Sequence, residues 1–329
     1  MTDQLPVSAA DIEAARARIA PFVHRTPLVR SETLGRLAGC DLWLKAENLQ
    51  KAGAFKARGA HNAIFALSDA AAARGVVTHS SGNHAAAVAL AAGNRGTTAR
   101  VVMPTNAPRV KQDAVAGYGA EITLCRPTLE AREEAVAEIR ASTGAVLVHP
   151  YDDALVIAGQ GTVGAEIVDQ LADEPPDVVV APVGGGGLLS GVAVAIKAVL
   201  ASCLVVGAEP VGADDAYRSF TSGHLIPQTS PDTVADGLLT SLGELNFAII
   251  TELVDDIWLV TDDEIIEAME LIWTRTKLLV EPSGAVAVAA VLRNRDRLGG
   301  RRVVAVLSGG NVDVRNLQWN VDRGSNVAG

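Results

Sequence analysis

Aromatic side chains are scarce in this chain: Phe, Trp and Tyr make up 4% of 329 residues, although hydrophobic residues reach 49%. The interior must therefore be built from Ala, Val, Leu and Gly, which suits helices packed tightly on a parallel sheet. Cysteine is also rare. Cys40, Cys125 and Cys203 stand far apart, without the spacing of a metal-ligand set. They read as buried or idle thiols in a reducing compartment. No apolar run is long enough to cross a bilayer. The start, Met1-Thr-Asp-Gln, has no basic segment followed by an apolar one, so no secretory signal is expected and the expected address is cytoplasmic. Positive charge is in deficit, with a formal net charge of −10. That argues against nucleic acid or an anionic membrane as partner, and says nothing about a small substrate, which local charge decides.

What the chain does have is alternation. Short β-branched runs recur at Asp41-Leu-Trp-Leu-Lys45, Val76-Val77, Arg100-Val-Val-Met103, Glu121-Ile-Thr-Leu124, Ala145-Val-Leu-Val148, Val178-Val-Val180, Leu204-Val-Val206, Ile257-Trp-Leu-Val260 and Val303-Val-Ala-Val306. Segments rich in Ala, Glu and Leu lie between most of them. The pattern predicts an α/β fold of open, twisted, mostly parallel sheets flanked by helices. Ser8 with Asp11, and Thr261 with Glu264, predict capped helix starts, the second helix running to about Leu279. The strand count predicts two sheets. The large unit is expected to hold residues 1–73 and 147–329, and a small inserted one residues 74–146. Ligands of such sheets sit beyond the carboxyl ends of the strands.

Five segments draw attention on that rule. Lys51-Ala-Gly-Ala-Phe-Lys-Ala-Arg-Gly-Ala60 sets Lys56 among residues too small to shield its amine. A partly desolvated amine loses proton affinity and becomes a usable nucleophile, the alternative being a solvated lysine at a helix start. Gly184, Gly185, Gly186 and Gly187 follow the strand at Val178, ahead of Leu188-Leu-Ser-Gly191. Their bare backbone suits a monophosphate at a helix N-terminus, and fits neither the Walker pattern nor the dinucleotide fingerprint. The alternative is a tight turn that merely needs glycine, which four glycines in a row disfavour. Ser80, Ser81, Gly82 and Asn83 open an Ala-rich helix and suit a carboxylate, or else plain capping. The neighbouring His79 and His84 read as structural hydrogen-bonders. Ser308 closes the last strand. Glu209-Pro-Val-Gly-Ala-Asp-Asp215 carries three carboxylates, read as an acidic loop with a helix cap or as a Mg²⁺ or Ca²⁺ site. An activated lysine, a phosphate cradle, a carboxylate loop and a hydroxyl at a strand end together fit pyridoxal 5′-phosphate with an amino acid.

These same segments, with Glu281-Pro-Ser-Gly-Ala285 and Leu307-Ser-Gly-Gly-Asn311, resemble the fold-type-II pyridoxal-phosphate enzymes, in particular the serine racemase and threonine/serine dehydratase group. The match runs in order over nearly the whole chain. It implies a tryptophan synthase β-like fold with the cofactor between a large and a small domain. It also implies a role for each matching position. Lys56 resembles the Schiff-base lysine that moves the Cα proton, and Phe55 a residue packed near the ring. Asn83 matches the partner of the pyridoxal 3′-oxygen, and Ser308 that of the pyridine nitrogen. Gly184 to Gly187, with the amide of Leu188, match the phosphate loop. Ser80, Ser81, Gly82 and Asn83 match the loop gripping the substrate carboxylate. Ser81 matches the racemases' acid/base on the opposite face. Glu209, the carbonyl of Ala213, and Asp215 match a divalent-cation site.

The implied activity is dehydration and deamination of serine, threonine or 3-hydroxyaspartate, with serine or aspartate racemisation as the alternative. A non-catalytic phosphate-ligand protein on the same scaffold is a third. A homodimer or tetramer is the family's common state. Departures exist: Ala52 and Ala54 stand where hydroxylated residues are frequent, and Ala86 where Gln is frequent. ATP activation is therefore not expected. Nor is isoleucine feedback, since the chain ends soon after Ser308.

Overall fold

A computed structural model describes residues 5–80, 82–107 and 109–314. Its strands are β1 (Leu28–Arg30), β2 (Asp41–Ala46), β3 (Val76–His79), β4 (Ala99–Pro104), β5 (Glu121–Cys125), β6 (Val146–Leu147), β7 (Val178–Pro182), β8 (Leu204–Pro210), β9 (Asp256–Val260) and β10 (Arg302–Leu307). The helices are α1 (Ala9–Ile19), α2 (Glu32–Ala38), α3 (Lys56–Phe65), α4 (Asp69–Ala72), α5 (Asn83–Arg95), α6 (Arg109–Gly117), α7 (Leu129–Thr143), α8 (Ala154–Gln170), α9 (Gly187–Val199), α10 (Asp215–Ser222), α11 (Glu244–Leu253), α12 (Asp262–Thr276) and α13 (Pro282–Arg293).

Two sheets result. One runs β1-β2-β10-β7-β8-β9 and the other β5-β4-β3-β6. Every pairing is parallel except β1 with β2. Parallel strands need helical crossovers, which cover both faces. The valine runs answer to that. Val178 and Val180 enter one core with α12 and α13, while Val179 and Ala181 enter a second with α9. Val303 and Val304 divide in the same way along β10.

Both capping boxes form. Ser8 Oγ accepts from Asp11 N, and Thr261 Oγ1 from Glu264 N. The helix opened by Thr261 stops at Thr276, short of Leu279, because Lys277 turns left-handed at φ 65°. The short strand β1 has no signature in the sequence and adds an antiparallel edge to the large sheet. β6 reaches Leu147, one residue past the expected end of the inserted unit. Among the described residues, no helix is long and apolar enough to cross a membrane.

Candidate active site

The last strand delivers the amine. Ser308, directly after β10, accepts from Phe55 N at 3.0 Å through its backbone oxygen, and Ala54 bridges Gly309. Lys56 therefore begins α3 beside the carboxyl end of the central strands. Its side chain is half-buried, and Nζ donates to the carbonyl of Pro150 at 2.6 Å. The amine also lies 5.1 Å from the centre of the Phe55 ring. No carboxylate pairs with it among the described residues, so burial acts alone and lowers its pKa to about 8. This is the environment expected of an activated lysine. Ser308 is buried, and its hydroxyl donates to the carbonyl of Ser283 at 3.3 Å.

The glycine turn packs against Tyr151, the residue after Pro150. Gly186 takes φ +94° and caps α9, whose first N–H groups have no partner within the helix. A side chain is barred at Gly185 and Gly186, and crowded at Gly184 and Gly187. A Cβ on Gly185 would run into the ring of Tyr151, and one on Gly187 would lie 3.1 Å from the Tyr151 carbonyl. Asn246 holds the turn from behind. Its Nδ2 donates to Gly185 O at 2.9 Å and to Tyr151 O at 3.1 Å. Leu188 is buried in the core beneath. Thus Pro150 touches the amine and Tyr151 touches the turn. Sequence reading passed over both, although residues 149–153 follow β6 and the strand-end rule applies to them.

Asn83 opens α5, and Gly82, the N-cap, supplies no side-chain cap. Asn83 Nδ2 donates to Glu281 Oε1 at 2.6 Å, and its Oδ1 accepts from Asn311 Nδ2 at 2.9 Å. One amide hydrogen stays free of these partners. Ser80 Oγ accepts from Gly82 N at 3.2 Å. Ser81 lies outside the described residues. Lys111 of α6 and Asp236 form an ion pair joining the two sheets' flanks. His84 Nε2 meets Val148 O at 3.1 Å, and burial holds the ring neutral. His79 is likewise kept neutral by burial, its pKa lowered to about 4. Neither histidine is a ready base.

Glu281 belongs to a motif noted in the sequence, which gave it no role. Burial raises its pKa to about 8, against an ordinary 4.5. The folded state then binds more protons than the unfolded one between those values. Stability from this carboxyl is present at low pH and is lost as pH rises through about 8. Thermal unfolding measured from pH 5 to 9 should show that decline, and Glu281→Gln should flatten it. An unchanged slope in the variant would contradict the assignment.

The acidic pair is more deeply set than its sequence suggested. Glu209 lies within β8 rather than after it. Its two carboxylate oxygens accept from Ala216 N and Tyr217 N, at 3.0 and 2.8 Å. Asp215 Oδ2 accepts from Leu242 N at 2.7 Å, while its Oδ1 is buried with no partner. Ala213 is buried in the turn between them. Burial raises both acids, Asp215 to about 6 and Glu209 well above the usual range. Asp214, the third carboxylate of the stretch, pairs with Arg218 instead. Among the described residues, no group of three or more His, Cys, Asp or Glu side chains is placed to hold a metal ion.

Comparison with known proteins shows the family. The model of one family, described as "Pyridoxal-phosphate dependent enzyme", matches residues 19–309. A beta-hydroxyaspartate dehydratase of Paracoccus denitrificans is 48% identical over 94% of this chain and 98% of its own. The solved structure of maize serine racemase superposes with a TM-score of 0.92 at 44% identity, covering 94% of this chain and 95% of that one. The crystal structure of a serine racemase from Dictyostelium discoideum gives 0.90 at 46% identity, covering 94% and 100%. That of a T.th. threonine deaminase gives 0.89 at 48% identity, covering 93% and 99%. The chain belongs to the pyridoxal-phosphate dependent enzymes of fold type II.

Proposed function

We propose that this enzyme dehydrates a β-hydroxy amino acid to an α-keto acid and ammonia. The observation that carries the reading is the half-buried amine of Lys56, bonded to the Pro150 carbonyl with no carboxylate beside it, next to Tyr151, which lines a crowded glycine turn. Those residues fit pyridoxal phosphate: Lys56 as covalent anchor, Gly184 to Gly187 and Leu188 as phosphate cradle. Phe55 would pack near the ring, Asn83 would offer its free amide hydrogen to the 3′-oxygen, and Ser308 would serve the ring nitrogen. When bound, the cofactor supplies an electron sink for charge developing at the substrate Cα. Ser80, Ser81, Gly82 and Asn83 hold the substrate carboxylate. Lys56, as a free amine, would take the Cα proton and, as the ammonium so formed, would donate a proton to the β-hydroxyl, which leaves as water. One water lost and one consumed give the α-keto acid and ammonia overall. Proton return from Ser81 on the opposite face gives racemisation as the side reaction.

Among serine, threonine and 3-hydroxyaspartate, the last is favoured by Arg132. On α7, its Nε donates to Thr128 O at 3.3 Å, its positive charge helps to lower the pKa of His79 and opposes the rise of that of Tyr151, and a guanidinium suits a β-carboxylate. The dehydratase relative acts on such a compound by its name. A panel of hydroxy amino acids, scored for keto acid and for inverted enantiomer, tests this. Keto acid from 3-hydroxyaspartate should dominate, and Arg132→Met should erase that preference. Faster formation of D-serine than of any keto acid would make the enzyme a racemase. A bound cofactor with no turnover at all would make it a binding protein.

The unpartnered Asp215 oxygen beside Glu209 and the Ala213 carbonyl fits a divalent cation, Mg²⁺ or Ca²⁺. Excess EDTA should lower the melting temperature by ~2–5 °C, and Asp215→Asn should remove the response. A melt indifferent to EDTA would count against the site. We further propose residues 74–146 as the small domain, a homodimer or tetramer as the working form, and the cytoplasm as its location.

A further inference from the structure

Helix α8 touches both halves of the cofactor site. Its approach places Pro150 on the Lys56 amine and Tyr151 on the glycine turn. Its body then packs at backbone contact against the two helices that start from those points. On one side, a Cβ on Gly159 would lie 2.6 Å from Gly59 Cα and 2.8 Å from Arg58 O. Gly59 N also donates to Gln160 Oε1 at 3.1 Å. On the other side, a Cβ on Gly191 would lie 2.5 Å from both Gly161 N and Ile157 O. These neighbours are main chain, so no side chain can swing aside. Lys56 is about one turn before Gly59 on α3, and Gly187 about one turn before Gly191 on α9. A displacement at either crossing is thus carried to the amine or to the turn.

We infer that α8 is the spacer that fixes the distance between the Lys56 amine and the glycine turn, with Gly159 and Gly191 as its positioning residues. A ligand held at both ends gains affinity only if the two anchor points match its length. Pyridoxal phosphate is such a ligand, covalently joined at one end and ion-bound at the other. Widening the gap should cost the two-point ligand far more than a ligand using one point. The inference rests on the proposed roles of Lys56 and the glycine turn.

The test uses the full chain freed of cofactor, titrated separately with pyridoxal phosphate, phosphate-free pyridoxal and inorganic phosphate. In Gly159→Ala and Gly191→Ala, affinity for pyridoxal phosphate should fall about 10²-fold, while the two single-point ligands bind as in wild type. Ile167→Val, a buried change on α8 away from both crossings, should keep the wild-type preference. Parallel weakening of all three ligands, or none, overturns the inference. Should both glycine variants fail to fold, Gly161→Ala with Ile12→Ala serves instead. There the added methyl takes the place of Ile12 atoms and meets Gly191 O at 2.9 Å. A smaller loss confined to pyridoxal phosphate is expected, and an unchanged preference overturns the inference. Wild-type protein that fails to join pyridoxal phosphate at Lys56 would sink the underlying roles instead, whatever the glycine variants do.

Discussion

Lys56→Ala is expected to lower turnover about 10⁴-fold or more and to abolish covalent capture of the cofactor. One side chain is asked to anchor the cofactor and to move the substrate proton. Burial lowers its pKa to about 8, so roughly a tenth is neutral at pH 7, far more than for an ordinary lysine. No carboxylate pairs with it among the described residues to restore the charge. Nothing else in the site can take over. His79 and His84 are held neutral by burial, yet His84 spends one ring nitrogen on Val148 O and both lie in the wall of the inserted sheet. Lys56→Arg should fail as badly, because it keeps the charge and loses the reactive amine. Steady-state rates with the best hydroxy amino acid, and visible absorbance of the purified variants, provide the check. Turnover within tenfold of wild type in either variant would remove Lys56 from the mechanism.

The second large effect is on stability. Arg58, two residues beyond Lys56, is fully buried. Its guanidinium meets Glu47 Oε2 at 2.8 Å and Glu166 Oε1 at 2.7 Å, and reaches Thr162 Oγ1 at 3.1 Å. Lys45, also buried, meets Glu166 Oε2 at 2.6 Å. Burial alone would lower the Arg58 pKa, but the two carboxylates outweigh it and hold the charge in place. Two cations and two anions thus balance in a space closed to water. Arg58→Ala leaves an uncompensated buried negative charge, which costs about 3–5 kcal/mol. Arg58→Lys should recover little, because one ammonium cannot replace a planar fork meeting two acids. Thermal unfolding of the cofactor-free protein reads this directly. A melting temperature near that of wild type would mean that the network is dispensable. The same four side chains tie α3 to β2 and α8, so the position of Lys56 should suffer with the fold.

Much of this was legible in the chain because local chemistry repeats a known grammar. Val178, Val179 and Val180 read as a strand buried on both faces, and they are. Ser8 with Asp11 and Thr261 with Glu264 mark helix starts through contacts only three residues long. The glycine turn is conspicuous since four bare residues in a row have few other uses. Long-range relations left no such trace. Asn83 and Glu281 bond across 198 positions, and nothing beside either residue advertises the other. Lys45 sits in an alternating strand where a surface lysine is the ordinary expectation, yet Glu166, 121 positions away, draws it inside. The order of the large sheet, with β10 between β2 and β7, depends on packing over the whole chain. Lys277 ended its helix early by turning left-handed, a choice that non-glycine residues rarely announce. Gly159 and Gly191 looked like ordinary small residues until two helices were laid against a third.

Borohydride reduction of the protein loaded with pyridoxal phosphate, followed by peptide mass mapping, tests the central claim most directly. The account expects one phosphopyridoxyl group per chain, on Lys56, and none in a sample first saturated with hydroxylamine. A label on another of the chain's lysines, or no stable label at all, would contradict it.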